Sequence, residues 1–277
     1  MTYREPEYKE GRGWGEPVMS DPSHSCKRYN GKNVVVTAGT LGIGRAMVER
    51  FCEEGARVFL CSRKAPNVEQ TVEELRKKGY NVGGTTCNVG ESKEQEDFLR
   101  AAIDFFGEER IDTLVSNAGV NPKAGPTNDM TEEIFDKIFN INVKSYFVLV
   151  KLAMPYLKRG SSVLFVSSVG GFLPSPPLGL YGVSKTAVIA LGKVLANELG
   201  PMGIRVNTVC PGVVRTKMAG MLWKSEDADG AAKKNGFLQR FGDPVDISGI
   251  AAFLCSDDAS YMTGESVLAS GGNMSRL

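Results

Sequence analysis

At 277 residues, with 42% apolar and 23% charged side chains, the chain has the size and composition of one large globular domain with a continuous core. Its 33 basic residues face 32 acidic ones, so no overall field holds nucleic acid or an anionic membrane surface, and the expected partner is a small molecule. A single histidine, His24 in a polar stretch, excludes a Ser-His-Asp triad, an HExxH zinc site or a histidine-rich metal cluster, and leaves Tyr or Lys to handle protons.

Residues 1–30 are rich in Glu, Lys, Arg, Pro, Gly and Ser and have no apolar h-region, which predicts a loosely docked polar arm rather than a signal peptide. No apolar run is expected to reach the roughly 20 residues of a membrane span, so the protein is expected to be soluble. From Asn33 the chain alternates β-branched runs with helical patterns. Strands are predicted from Asn33, Arg57, Asp112, Ser162, Ile204 and Ser266, with a further one ending at Cys87. Helices are predicted over Gly42 to Glu54, Val68 to Lys78, Ser92 to Phe106, Thr131 to Lys158, Tyr181 to Leu199 and Pro244 to Cys255. This order predicts an α/β doubly wound Rossmann fold in a single domain over 31–277, a seven-stranded parallel sheet with helices on both faces and the ligand at the carboxyl ends of the strands. Residues 214–242 interrupt the alternation with Met218, Met221, Leu222 and Trp223, and are predicted to form either a surface helix pair or a lid over substrate. The six cysteines show no CxxC spacing and several sit in apolar runs, which predicts buried thiols in a reducing compartment.

The first strand runs into Thr37-Ala38-Gly39-Thr40-Leu41-Gly42-Ile43-Gly44 and then a helix, an arrangement that brings phosphate onto helix N-terminal amides. At the end of the second strand, where an NAD site offers a carboxylate to the ribose, the chain has Ser62, Arg63 and Lys64. These can bind a 2′-phosphate, so NADPH/NADP+ is the expected cofactor. No metal is expected. Tyr181 and Lys185 lie four apart at the start of a helical pattern and share one face. A nearby ammonium stabilises a phenolate, so the pair is expected to lower the Tyr181 pKa from about 10. Ser168, thirteen positions earlier at a strand end, can donate a hydrogen bond to a substrate oxygen as charge develops.

With TAGTLGIG from Thr37, SNAG from Ser116, NVK from Asn142, Ser167-Ser168, YGVSK from Tyr181 and RVNTVCPG from Arg205, the chain resembles the short-chain dehydrogenase/reductases from about Asn30 to its end. That resemblance implies a catalytic tetrad of Asn142, Ser168, Tyr181 and Lys185, with Asn142 supporting a water-linked relay to Lys185 and Lys185 also holding the nicotinamide ribose. It implies that Asn117, Ala118 and Gly119 line the cofactor cleft and that Pro211, Gly212, Val214 and Thr216 contact the nicotinamide end. Ala38 stands where the family has its first glycine, and Asn88, followed by Val89, where it has an acidic residue near the adenine. Both departures, with SRK at Ser62, NVGES at Asn88, MLW at Met221 and FLCSDDASYMTGE at Phe253, are similar to a subgroup of peroxisomal NADPH-dependent carbonyl reductases that also reduce retinal, the member-four type. The resemblance implies reduction of ketones, α-dicarbonyls, quinones or retinal, a small apolar carbonyl or alcohol as partner, and a homotetramer. A hydroxysteroid or 3-oxoacyl reductase of the same family is the alternative, as is an NADPH-binding protein without turnover. Ser275, Arg276 and Leu277 resemble a peroxisomal import signal, which implies an import receptor as partner and the peroxisome as location, with the cytoplasm as the alternative.

Overall fold

The central apolar runs form strands because they can be buried on both faces at once. In the computed structural model, which describes residues 27–224, 230 and 236–273, the seven strands are β1 (Asn33–Val36), β2 (Arg57–Ser62), β3 (Val82–Thr86), β4 (Ile111–Ser116), β5 (Leu157–Val166), β6 (Arg205–Pro211) and β7 (Ser266–Ala269). β1 and β4 are buried along their whole length, while β3 and β7 at the sheet's edges are only partly covered. All pairings are parallel and the order is β3-β2-β1-β4-β5-β6-β7, so the chain reverses its direction of travel across the sheet after β3. The crevice at such a reversal, between the ends of β1 and β4, is where ligands of this architecture sit.

The period-two alternation divides the core between the faces. Val35, Phe59, Leu114, Val163 and Phe165 face one way and meet α3 (Ser92–Phe106), α5 (Ser145–Ala153) and α6 (Gly179–Leu199) through Phe98, Leu99, Tyr146, Leu149, Val188 and Leu195. Val34, Val36, Val58, Leu60, Val115 and Leu164 face the other way, onto Met47, Val48 and Phe51 of α1 (Gly42–Glu53), Leu75 of α2 (Ala65–Lys77) and Ile247 and Ala251 of α8 (Pro244–Cys255). α8 starts at a reciprocal cap between Asp243 and Asp246 with Pro244 in its first turn.

Two expectations need correction. The helix predicted over Thr131 to Lys158 is α4 (Glu132–Phe139) and α5 joined by a π-turn at Asn140–Lys144, and Lys158 belongs to β5. One wide turn leaves the apolar spacing almost unbroken, so periodicity does not reveal it. Secondly, α6 with the turn after it, Gly179–Met202, is long and apolar enough to cross a bilayer by length and composition. Here it packs on the sheet and carries the buried Lys185, so its apolar character serves the core. Arg205 and Asn207 of the RVNTVCPG segment fasten the end of the chain to the sheet: Arg205 donates to the carbonyls of Leu254, Met262 and Ser256, and Asn207 bridges Met262 O and Glu265 N.

Cys52, Cys61, Cys87, Cys210 and Cys255 are buried thiols. The arm before residue 27, the tripeptide Ser275-Arg276-Leu277 and most of 225–235 lie outside the described residues. Val214 bridges to Gly242 at the base of the segment between them, and a short α7 (Gly220–Trp223) follows, its indole N–H donating to Thr216 O at 2.9 Å.

Candidate active site

A cavity of about 600 Å³ follows the carboxyl ends of β1, β2, β4, β5 and β6. The glycine turn forms one wall. A Cβ on Gly44 would stand 2.2 Å from Ala38 O and 2.5 Å from Asn117 Nδ2, so only glycine lets α1 start this close to the turn. Thr40, Leu41, Gly42, Ile43 and Gly44 line the cavity, as do Ser62, Arg63 and Val89 at one end and Asn117, Ala118 and Gly119 along the middle. Pro211, Gly212, Val214 and Thr216 close the other end, with Lys217, Met218 and Ala219 continuing from them.

Some predicted cofactor residues stand behind this wall. The Thr37 hydroxyl, 2% exposed, accepts from the amides of Asn117 (2.9 Å) and Ala118 (3.3 Å) and so ties β1 to β4. Gly39 faces Leu60 and Val48, where a Cβ would clash at 2.9 Å. Lys64 is exposed and directly precedes α2, and Asn88 turns its side-chain oxygen to Gly90 N to open the connection to α3; neither lines the cavity. Asn117 lines it but spends its amide elsewhere, donating to Thr37 O at 3.1 Å and Ala38 O at 3.2 Å. That clamp matters because Ala38 has φ +52°, a left-handed conformation that L-residues other than Asn and Asp seldom adopt. Glycine at this position would meet the turn without that strain.

At the closed end the four predicted catalytic residues converge. Ser168 follows β5, and its Oγ accepts from Gly170 N at 3.1 Å, which leaves the hydroxyl proton free to reach outward. The hydroxyl acts on the Tyr181 phenol, drawing its pKa down. Tyr181 and Lys185 occupy the first turns of α6, held near the loop after β5 because a Cβ on Gly182 would strike Pro174 Cα at 2.8 Å. Lys185 is 3% exposed; its Nζ donates to Val166 O at 2.8 Å and lies 5.7 Å from the Tyr181 ring centre. Asn142, fully buried in the π-turn, accepts from Val120 N (2.8 Å) and donates to Val120 O and Ser184 Oγ (both 3.0 Å). A Cβ on Gly119 would lie 3.4 Å from Lys185 Nζ and 3.7 Å from Asn142 Oδ1, so glycine keeps the space beside both groups open.

Electrostatics here depart from the expected lowering of the Tyr181 pKa. Burial is the largest effect on both groups: it pushes Tyr181 up to about 12, against a hydrogen bond from Ser168, and Lys185 down to about 8, against the Cys210 thiol. Lys185 spends its ammonium on a carbonyl rather than on the phenol oxygen, so loss of water outweighs the cation's attraction. Tyr181 is therefore neutral at physiological pH and can give a proton to an oxygen as negative charge develops there.

The cavity residues fit a dinucleotide. Gly42 and Gly44 line the cavity at the start of α1, Lys185 lines its closed end, and Arg63, Lys137, Lys185 and Lys217 give it positive charge with no carboxylate among the described lining residues.

A family profile described as enoyl-(acyl carrier protein) reductase matches residues 37–273. The chain is 45% identical to dehydrogenase/reductase SDR family member 4 from Homo sapiens over 248 residues, 89% of this chain and 88% of that protein. It is 43% identical to tropinone reductase-like 3 from Erythroxylum coca, over 91% of this chain and 96% of that one. Among solved structures it resembles a short-chain dehydrogenase from Burkholderia cenocepacia J2315 in complex with NADP, with a TM-score of 0.82 and 28% identity, covering 90% of this chain and all of the other. A dehydrogenase/reductase from Sinorhizobium meliloti 1021 has a TM-score of 0.84 and 30% identity, covering 91% and 98%.

Proposed function

Because the chain belongs to the short-chain dehydrogenase/reductase family and is an oxidoreductase using NAD(P), we propose that it is an NADPH-dependent carbonyl reductase. One observation carries the chemistry: the Tyr181 phenol lines the closed end of the cavity together with Ser168 and Lys185, with Asn142 buried behind them. When bound, the nicotinamide supplies the hydride for a carbonyl carbon. Ser168 then donates to the carbonyl oxygen, and Tyr181 transfers its phenolic proton to the same oxygen as charge builds. The proton is replaced through the space at Gly119, between Lys185 and Asn142. Alcohol oxidation uses the same groups in reverse.

NADPH is favoured over NADH by Ser62 and Arg63 at one end of a cavity whose described lining residues include no carboxylate. Bulky apolar carbonyls, among them aromatic ketones, α-dicarbonyls, quinones and retinal, suit a site bordered by Met218 and Ala219 with Met221 and Trp223 on the helix that follows. NADPH oxidation against a panel of these, with oxosteroids and 3-oxoacyl thioesters alongside, tests the reading. Preference for either of the last two assigns the alternative reductase; NADPH binding without turnover of any carbonyl rejects the enzyme.

Delivery to the peroxisome through Ser275, Arg276 and Leu277 belongs to the same proposal, and unchanged delivery after deleting the tripeptide overturns it. A homotetramer is proposed on the apolar side chains of Phe135, Phe147, Val183 and Val194, which α4 to α6 leave exposed; a monomer in sedimentation equilibrium rejects it.

A further inference from the structure

Lys185 is held by more than the residues with which it is grouped above. Its ammonium donates to Val166 O and is flanked by two rings: it lies 5.5 Å from the centre of Tyr146, on α5, and 5.7 Å from that of Tyr181. Tyr146 is 1% exposed and doubly anchored. Its ring packs edge-on to Phe165 at 5.2 Å, and its hydroxyl donates to Val166 O at 3.0 Å, the same oxygen that Lys185 uses. A carbonyl oxygen has two lone pairs, so the two donors share it without conflict. When Lys185 swings from Val166 toward a ligand in the cavity, Tyr146 keeps that buried carbonyl satisfied, and the move exposes no orphaned acceptor.

We propose that Tyr146 is a positioning residue for catalysis, whose ring face keeps the buried Lys185 charged and whose hydroxyl frees Lys185 to leave Val166. The inference rests on the role of Lys185 in the proposed reaction. The groups facing Lys185 are few: Tyr181 on its own helix, Tyr146 on α5, the Cys210 thiol on β6 and the Val166 carbonyl on β5. Neither phenol carries charge at neutral pH, because burial raises the pKa of both. The attraction offered by Tyr146 is therefore that of a ring quadrupole for a desolvated cation, the setting in which such contacts are strongest.

A graded series at position 146 tests this while preserving shape: tyrosine, phenylalanine, 3,4,5-trifluorophenylalanine installed by codon suppression, and Tyr146→Leu. The Lys185 titration is followed by NMR of lysine labelled with ¹³C at Cε, its resonance assigned with Lys185→Met, and so needs no turnover. In Tyr146→Phe the Lys185 midpoint is expected to stay within a few tenths of a unit. The trifluoro ring and leucine are expected to lower it progressively, by about one unit at the end of the series, a tenfold change in the protonation equilibrium. Where carbonyl reduction is measurable, the alkaline limb of kcat is expected to move with the midpoint. Equal midpoints across the series, with the variants folded, overturn the proposal, as does a shift in Tyr146→Phe as large as that of the fluorinated ring. Should leucine fail to fold, the fluorinated ring alone decides. A protein that reduces no carbonyl yet shows the graded midpoint retains the contact and loses only the proposed function.

Discussion

At the closed end of the cleft Asn142, Ser184 and Lys185 are withdrawn from water and their polar atoms bond one another or backbone, whereas at the outer end Arg63 and Lys64 stand exposed without an ion-pair partner among the described residues. The first arrangement fixes atoms; the second supplies charge whose position can vary by a rotamer. A buried group that is removed leaves its partners orphaned, so its loss is felt as turnover or stability. An exposed charge works through a screened field and alters which ligand is preferred.

The largest effect expected at the closed end is that of Tyr181→Phe. Removing one phenolic oxygen takes away the proton donor and leaves the cavity walls in place, so kcat is expected to fall by about 10²–10⁴ while NADPH affinity, read by nucleotide fluorescence, stays nearly constant. Loss of binding and turnover together would mean that the phenol holds the cofactor, erasing the division of labour between the two ends.

Next in size is a trade of stability for function at Lys185. Its folded pKa of about 8 lies below the ordinary 10.5, so between these values the unfolded chain binds more protons and stability rises with pH. Below pH 8 the folded state carries the full cost of the buried cation, roughly 3 kcal/mol from the size of the shift. Lys185→Met is therefore expected to abolish turnover yet unfold at higher denaturant near pH 7. The advantage should shrink from pH 8 upward and vanish by about 10.5. Tyr181 acts in the opposite direction at higher pH: its raised pKa makes stability fall between about 10 and 12. A variant no more stable than the parent at pH 7 would place Lys185 in a wetter site than its burial implies.

The outer end should answer differently. Arg63→Asp exchanges an exposed cation for an anion beside Ser62, and is expected to cut the preference for NADPH over NADH by about 10- to 100-fold, the size of one or two charge-assisted contacts, with kcat for NADH and the melting temperature nearly unchanged. The remaining discrimination should weaken further with added salt. An unaltered ratio removes Arg63 from cofactor choice.

What the sequence could disclose follows the same division. The central strands are legible because burial on both faces selects continuous apolar, β-branched runs, as in Val34, Val35 and Val36, and the edge strands β3 and β7 follow from the alternation with helices. Tyr181, Lys185 and Gly44 are legible because their spacing within one turn is the chemistry. Tyr146 is not. It meets Lys185 across two helices, and in sequence it is one more aromatic in the apolar run of α5. Nor does the sequence show that Thr37 and Asn117 spend their polar atoms on each other's backbone, because both sit in segments whose resemblance concerns the cleft they border. The direction of the Tyr181 shift is hidden for a related reason: helical spacing gives the distance to Lys185 but not the depth of burial, and depth decides the sign.

The smallest expected effect bears on the wall that joins the two ends. Ala38 holds φ +52° in a turn whose carbonyl is clamped by Asn117, a conformation costing an L-residue about 1–2 kcal/mol. Glycine relieves that cost but loses about 0.4–1 kcal/mol through the greater freedom of the unfolded chain, and gives up a methyl packed against the core. Ala38→Gly is thus expected to stabilise by about 0.5 kcal/mol, a shift of about 1–2 °C in thermal unfolding for a chain of this size. In an Asn117→Ala background, where the clamp no longer forces the turn, alanine can relax and the gain should disappear. That coupling, measured as a double-mutant cycle, distinguishes strain imposed by Asn117 from strain inherent in the turn. If the gain is the same in both backgrounds, the strain belongs to the turn itself and Asn117 serves the cavity wall alone.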